Sequence, residues 1–256
     1  MPAIKLANGL QIFYRECGSG DRVVLLIHGN TASSLWWERV MAGLPAGVRA
    51  VAPDLRGCGD STMPAPGWSM TDLAADVYQF AQALGIKKAV VVGHSLGGGV
   101  ALYLAVDHPD LVEKLLIVNS APAEGLKTPA DRYSQLEVAV KRPDILKMAL
   151  ASMMPTAPKD EYYNRLLEES VAKSADALIP NGRALDEMDL TEEARGIKAP
   201  TLILYGTKDG LVTREMMERT RDAIPGAVLE VWEELGHSAP VEDPVRFTQR
   251  LIEFIG

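Results

Sequence analysis

One junction constrains the fold of this chain more than any other stretch. Lys88-Ala89-Val90-Val91-Val92 is a short, largely apolar, β-branched run, and Gly93-His94-Ser95-Leu96-Gly97 follows it directly. Gly98-Gly99 then leads into Val100-Ala101-Leu102-Tyr103-Leu104-Ala105, which reads as a buried helix. A strand that turns at once into a helix needs a sharp bend. Small residues two positions before and after the serine let strand and helix pass closely. The serine at the bend is expected to hold a strained backbone at a helix N-terminus, where free N–H groups and the macrodipole favour negative charge. The pentapeptide alone is equally compatible with a glycine-rich turn and a capping serine, so the rest of the chain must decide.

Along the chain, strand-like and helix-like segments alternate. Gln11–Glu16 reads as an early strand of a hairpin after Asn8-Gly9. Arg22–Ile27, Val48–Ala52, Leu115–Val118 and Thr201–Tyr205 are strand-sized apolar runs of the kind buried on both faces, and Val228–Trp232 is a last strand. Thr71 is the expected cap of a helix through Leu73, Val77, Phe80 and Leu84 that ends at Gly85, and Pro244–Ile255 is a closing helix. The pattern predicts an α/β fold, with a mostly parallel central sheet covered by helices on both faces. From about Ala123 to Arg195 the rhythm breaks, with no convincing strand and prolines at 129, 143, 155, 158 and 180. That stretch is too long for an ordinary crossover. It is expected to be an inserted helical cap (123–195) over the C-terminal edge of a core formed by residues 1–122 and 196–256, the edge where open α/β sheets bind ligands.

Composition excludes several classes. With 256 residues, 47% of them hydrophobic, the chain can bury a sizeable core without staples. Its apolar runs are too short to span a membrane, and the N-terminus lacks a basic segment followed by an apolar one, so a cytoplasmic location is expected. Cys17 and Cys58 are too few for a disulfide framework and, with the histidines, suggest no metal site. The net charge of −8 argues against nucleic acid and anionic membranes and suits a small neutral partner; it leaves oligomeric state open.

A serine hydroxyl is a poor nucleophile at neutral pH and needs a base within hydrogen-bond reach. The chain has four histidines. His28 ends a buried strand, His94 adjoins the serine and should point elsewhere, and His108 closes the helix far from Ser95. His237 lies on the loop after the last strand, at the same sheet edge as Ser95. Asp209, just past the Thr201–Tyr205 strand, is the candidate carboxylate to orient the imidazole. Asn119, at the end of the Leu115–Val118 strand, cannot carry the charge, and Glu242 and Asp243 read as helix N-terminal charges. Two N–H groups are candidates to hold a developing oxyanion: that of Leu96, after the serine, and that of Asn30, in the loop opened by His28-Gly29.

Taken together, His28-Gly29-Asn30, Asp54-Leu55-Arg56-Gly57-Cys58-Gly59-Asp60-Ser61, the Gly93–Gly97 turn, Gly206-Thr207-Lys208-Asp209 and Gly236-His237 resemble the motif set of the α/β-hydrolase fold over almost the whole chain. The resemblance implies a serine carboxylesterase or lactonase with a Ser95–Asp209–His237 triad, no metal or organic cofactor, and an ester or lactone as its small-molecule partner. It implies that Arg56 and Asp60 anchor a structural loop. Dehalogenases and epoxide hydrolases of this type carry an aspartate where Ser95 stands; the His28-Gly29-Asn30 segment is similar to that of dehalogenases, which points the Asn30 side chain toward the pocket. Leu211 and Val212 are implied as pocket walls. Met148, Met153, Met154 and Met188 are adaptable apolar groups for an acyl pocket or for docking the cap, with Met154 the candidate lining residue. Of Trp36 and Trp37, one is expected to face the pocket, and Trp37 is the candidate. The same triad also fits a C–C bond hydrolase or a cofactor-free perhydrolase. Outside enzymes, it fits a ligand receptor that keeps the triad as a binding switch; turnover of generic esters discriminates.

Overall fold

The unalternating apolar runs all become interior strands. A computed structural model describes residues 1–65 and 67–256. Its strands are β1 (Ala3–Lys5), β2 (Gln11–Cys17), β3 (Arg22–Ile27), β4 (Val48–Pro53), β5 (Ala89–His94), β6 (Val112–Val118), β7 (Thr201–Gly206) and β8 (Val228–Trp232). They form one sheet in the order β1-β2-β4-β3-β5-β6-β7-β8. β1 and β2 are joined antiparallel through the Asn8-Gly9 turn, with Gly9 at φ 90°, and β2 also runs antiparallel to β4. Every pairing from β4 to β8 is parallel.

Period-two geometry sends successive residues of each strand into different cores. Leu25, Ile27, Val91, Leu115, Ile117 and Ile203 pack on one face, against α2 (Met70–Ala83) and α3 (Leu96–Asp107). Val24, Leu26, Val90, Val92, Leu116, Val118 and Leu204 pack on the other, against Val40 of α1 (Glu38–Ala42) and the Phe247, Leu251 and Ile255 stripe on the last helix, Pro244–Ile255. Both faces are thus covered, which is why these strands show no polar alternation. α2 starts two residues earlier than the helix expected from Thr71. Ser69 is its cap, in a reciprocal capping box with Asp72, and Thr71 lies inside the first turn.

Between β6 and β7 the chain forms α4 (Ala130–Val140), α5 (Pro143–Ser152), α6 (Glu161–Lys173) and α7 (Leu178–Glu187). No strand occurs in this insertion among the described residues. It seats on the core through a third cluster, in which Met154, Tyr162, Tyr163 and Leu166 pack with Ala32, Leu35 and Trp36. After β7 come α8 (Arg214–Ala223), α9 (Ala239–Glu242) and α10 (Pro244–Ile255). Among the described residues, no helix is long and apolar enough to cross a membrane.

The loop after β4 is held by ion pairs and backbone bonds. Asp54 accepts from the Ser34 and Asp60 N–H groups at 2.7 and 3.1 Å, and Lys173 of α6 reaches Asp60 at 2.7 Å. Arg56 lies 2.6 Å from Asp76 of α2, with the two side chains only 9% and 2% exposed. Its guanidinium also donates to the Asp72 carbonyl, and Asn8 donates to the other Asp76 oxygen at 2.7 Å.

Candidate active site

Ser95 stands between β5 and α3 with φ 54° and ψ −120°, a left-handed region that costs a non-glycine residue about 1–3 kcal/mol. The neighbouring glycines show what enforces it. A Cβ on Gly93 would lie 2.3 Å from the Gly97 carbonyl oxygen, and one on Gly97 would lie 2.3 Å from that of Ile27. Neither position has room for any side chain, so strand and helix are locked at contact distance. The bend leaves the Leu96 N–H, the first of α3, without a backbone partner among the described residues.

Parallel strands place their C-terminal ends at one edge, and the chain is stitched together there. The Ser95 N–H donates to the Val118 carbonyl at 3.2 Å, and the Asn119 N–H to the Leu204 carbonyl at 2.9 Å. Asp209 follows β7 and His237 follows β8 at this same edge. His237 Nε2 lies 2.8 Å from Ser95 Oγ, and its Nδ1 lies 2.7 Å from Asp209 Oδ2. Burial tends to raise the Asp209 carboxyl, but the His237 imidazole and the N–H groups of Leu211 and Val212 outweigh it, so its pKa is held below the usual value. An ionised Oδ2 can only accept, so Nδ1 carries the proton and Nε2 is free to accept from the serine. Ser95 is 8% exposed and His237 5%, which shields the contact from bulk water.

Two residues read otherwise from sequence converge on this arrangement. Asn119 donates through Nδ2 to Asp209 Oδ2 at 2.8 Å, and its Oδ1 accepts from the Gly206 N–H at 3.3 Å. It carries no charge, yet it braces the carboxylate; its φ of 43° suits asparagine, which tolerates that region. Glu242 is no mere helix charge. Its buried carboxylate accepts from the N–H groups of Gly236 and Ser238 at 3.0 and 2.9 Å, flanking His237 on both sides. It also accepts from the N–H of Thr156 at 3.2 Å and from the Thr156 hydroxyl, in the insertion. Asp243 does act as a helix cap, accepting from the Arg246 N–H at 3.0 Å.

The His237 peptide is gripped at its remaining groups too. Its N–H donates to the Met153 carbonyl at 3.1 Å, and its carbonyl accepts from His94 Nε2 at 2.9 Å. Burial, reinforced by the nearby His237, pushes the His94 pKa down to about 3, so its ring is neutral. His28 is also held neutral by burial; its Nδ1 donates to the Gly29 carbonyl at 2.8 Å and its Nε2 accepts from the Leu55 N–H at 2.9 Å. His108 stacks on Tyr78, with ring centroids 3.5 Å apart.

The Asn30 N–H has no backbone partner among the described residues. The Asn30 side chain does not stand free in a pocket, as the His28-Gly29-Asn30 segment led us to expect. Its Nδ2 donates to the Leu178 carbonyl at 3.1 Å and its Oδ1 accepts from Asn181 at 3.0 Å. Trp37 sits in the core against Phe247, 1% exposed, because the Ser34–Trp37 3₁₀ turn rotates it beneath the sheet. Trp36 takes the other side, stacked on His94 at 6.0 Å between ring centroids. Met154 is fully buried between insertion and core. Val212 is buried with the Tyr205 and Met217 cluster, and Leu211 is exposed. Both meet the site through their N–H groups, which donate to Asp209 Oδ1 at 2.7 Å from Leu211 and 3.1 Å from Val212. Met188 is buried and Met148 exposed. Among the described residues, no group of three or more His, Cys, Asp or Glu is placed to hold a metal ion.

Comparison with known proteins agrees with this architecture. A family model described as "Alpha/beta hydrolase family" matches residues 24–250. A non-heme chloroperoxidase of Streptomyces lividans is 28% identical over 274 aligned residues, covering 100% of this chain and 99% of the relative. The structure of an esterase from Exiguobacterium antarcticum superposes with a TM-score of 0.88 at 28% identity, covering 99% of this chain and 98% of that one. An enol-lactonase from Burkholderia xenovorans LB400 has the same fold, with a TM-score of 0.87 at 24% identity and 99% coverage of both chains. With the family model spanning most of its length and every strand from β4 to β8 within it, the chain belongs to the alpha/beta hydrolase family.

Proposed function

We propose that the protein is a serine hydrolase that cleaves carboxylic esters of small to medium, largely apolar substrates through an acyl-enzyme. The observation that carries the reading is the continuous Ser95–His237–Asp209 hydrogen-bond chain, 2.8 and 2.7 Å, with the imidazole tautomer set by an acceptor-only carboxylate. In this mechanism Ser95 Oγ attacks the ester carbonyl while His237 Nε2 takes its proton. Asp209 holds the ring and stabilises the imidazolium. The N–H groups of Leu96 and Asn30 hold the tetrahedral oxyanion, and the α3 N-terminus adds its dipole. His237 then protonates the departing alcohol. Water, deprotonated by the same imidazole, releases the acid and restores Ser95. The insertion acts as a cap that keeps bulk water from the acyl-enzyme. The similarity to the esterase from Exiguobacterium antarcticum supports this reading.

The test is a panel of p-nitrophenyl esters of rising acyl length with γ- and δ-lactones, run on the wild type and on Ser95→Ala. Turnover of the short and medium esters is expected, and its near-complete loss in a folded Ser95→Ala. Lactone turnover that exceeds every ester moves the assignment to lactonase. Ester turnover that survives in Ser95→Ala removes the proposed nucleophile.

A further inference from the structure

The Asn30 loop is held by a line of side-chain amides whose direction is fixed at both ends. Trp68 Nε1 can only donate, and it does so to Asn181 Oδ1 at 2.9 Å. Asn181 Nδ2 must therefore be the donor to Asn30 Oδ1, at 3.0 Å. That leaves Asn30 Nδ2 to donate to the Leu178 carbonyl, at 3.1 Å, which can only accept. Each amide has one workable orientation. Asn181 is fully buried and Trp68 nearly so, and neither belongs to the triad or to the two candidate oxyanion donors. Leu178 and Asn181 sit on the first turn of α7, in the insertion, so both polar ends of the Asn30 side chain are held by a segment outside the sheet.

The loop needs such a hold. Thr31, next in the chain, lies at φ 56°, a conformation that relaxes unless its surroundings over-determine it. From the sheet side the loop presses directly on the nucleophile: a Cβ on Gly29 would lie 2.9 Å from His94 Nδ1 and 3.1 Å from Ser95 Cβ. From the other side the amide line holds the Asn30 side chain, whose Oδ1 also accepts from the hydroxyl of Thr31 itself at 3.5 Å. We infer that Asn181, backed by Trp68, is a positioning residue that sets the Asn30 N–H toward the developing oxyanion, so that α7 completes the anion-binding part of the site. The inference rests on the ester-hydrolase reading above. It also gives the Asn30 carboxamide a task other than contact with substrate: it is the handle by which the insertion holds the loop.

The experiment separates this role from simple stability by asking about the carbonyl oxygen itself. Wild type, Asn181→Leu and Trp68→Phe are compared on p-nitrophenyl butyrate and on its thionoester, in which sulfur replaces the carbonyl oxygen and forms weaker hydrogen bonds to N–H donors. Removing an oxyanion donor outright costs about a hundred- to a thousandfold in rate. A donor displaced but present should cost less, about tenfold or more in kcat for Asn181→Leu, with KM within about twofold. The thionoester rate should fall less, so the ester-to-thionoester ratio drops. Trp68→Phe, which keeps an aromatic ring but removes the pyrrole part of the indole with its N–H, should lower the same ratio by a smaller factor. Should Asn181→Leu fail to fold, Trp68→Phe decides alone. An unchanged ratio in the folded variants, or kcat within about twofold of wild type for Asn181→Leu, overturns the inference. A wild type that turns over neither substrate, with Ser95 unreactive to a fluorophosphonate, overturns the hydrolase reading on which it stands.

Discussion

Replacing Glu242 by glutamine changes one atom and should disable the loop that carries His237. Four donors converge on the two carboxylate oxygens. Oε2 takes the Gly236 N–H and both Thr156 groups, and Oε1 takes the Ser238 N–H at 2.9 Å. A glutamine must put its NH₂ somewhere. At the Oε2 position it would face two backbone N–H groups; at the Oε1 position it faces one, so the latter is preferred and Ser238 loses its acceptor. A charge-assisted bond is worth about 1.5–3 kcal/mol net, and a buried donor left bare costs about 1–3 kcal/mol. These terms overlap, and the expected loss of stability is about 2–4 kcal/mol. Urea denaturation of wild type and Glu242→Gln at one pH reads it as a shift in midpoint at unchanged slope. The residues flanking His237 lose their anchor as well, so kcat on p-nitrophenyl butyrate should fall about tenfold or more, since misplacement by an ångström can cost about a hundredfold. A variant within about 0.5 kcal/mol of wild type, the range of ordinary surface substitutions, and with undiminished kcat would show that the four-donor arrangement does not hold the base in place.

Two further outcomes follow from the titrating groups. His94 is neutral in the folded chain down to about pH 3 but titrates normally when unfolded, so its contribution is complete above the unfolded pKa and is lost as pH falls from there toward the folded value. Between pH 6 and 4.5 the stability of His94→Gln should therefore decline less steeply than that of wild type, by up to about 1.4 kcal/mol per pH unit in urea midpoints converted to free energy; parallel curves would mean that His94 is protonated in the fold. Asp209→Asn leaves an amide oxygen for the Leu211 and Val212 N–H groups and turns its NH₂ toward His237. That forces the proton onto Nε2, where it faces Ser95, and ester turnover should fall by about four orders of magnitude. A loss of only a fewfold would place the orienting acid elsewhere.

Strand ends were the readable part of this chain. Parallel strands deliver whatever follows them to one edge, so residues after β5, β7 and β8 had to meet there, and Ser95, Asp209 and His237 do meet. The inserted helices were readable as an interruption of rhythm, though not how they attach. Which tryptophan faces the site depends on the rotation of a 3₁₀ turn, and adjacent identical residues carry no signal of that. Glu242 misled because closeness in sequence to Asp243 suggested a shared task, whereas the carboxylate turns back to the His237 loop. Asn119 was set aside for lack of charge, although a strand-end asparagine with two free hydrogen-bonding groups is well suited to brace a charged neighbour. Asn181 and Trp68 left no mark at all, since the contact between them spans 113 positions.

The buried Arg56–Asp76 pair restricts how this protein can drift. Losing either partner alone strands its mate in the interior, at a cost of about 3–5 kcal/mol, a large share of the margin that keeps a domain folded. Exchanging both for well-packed apolar side chains is often neutral or better. The two end points are therefore both habitable, but the single steps between them are not. A lineage that holds the pair is confined to it, and the loop from Asp54 to Ser61 inherits that immobility without any part in the chemistry.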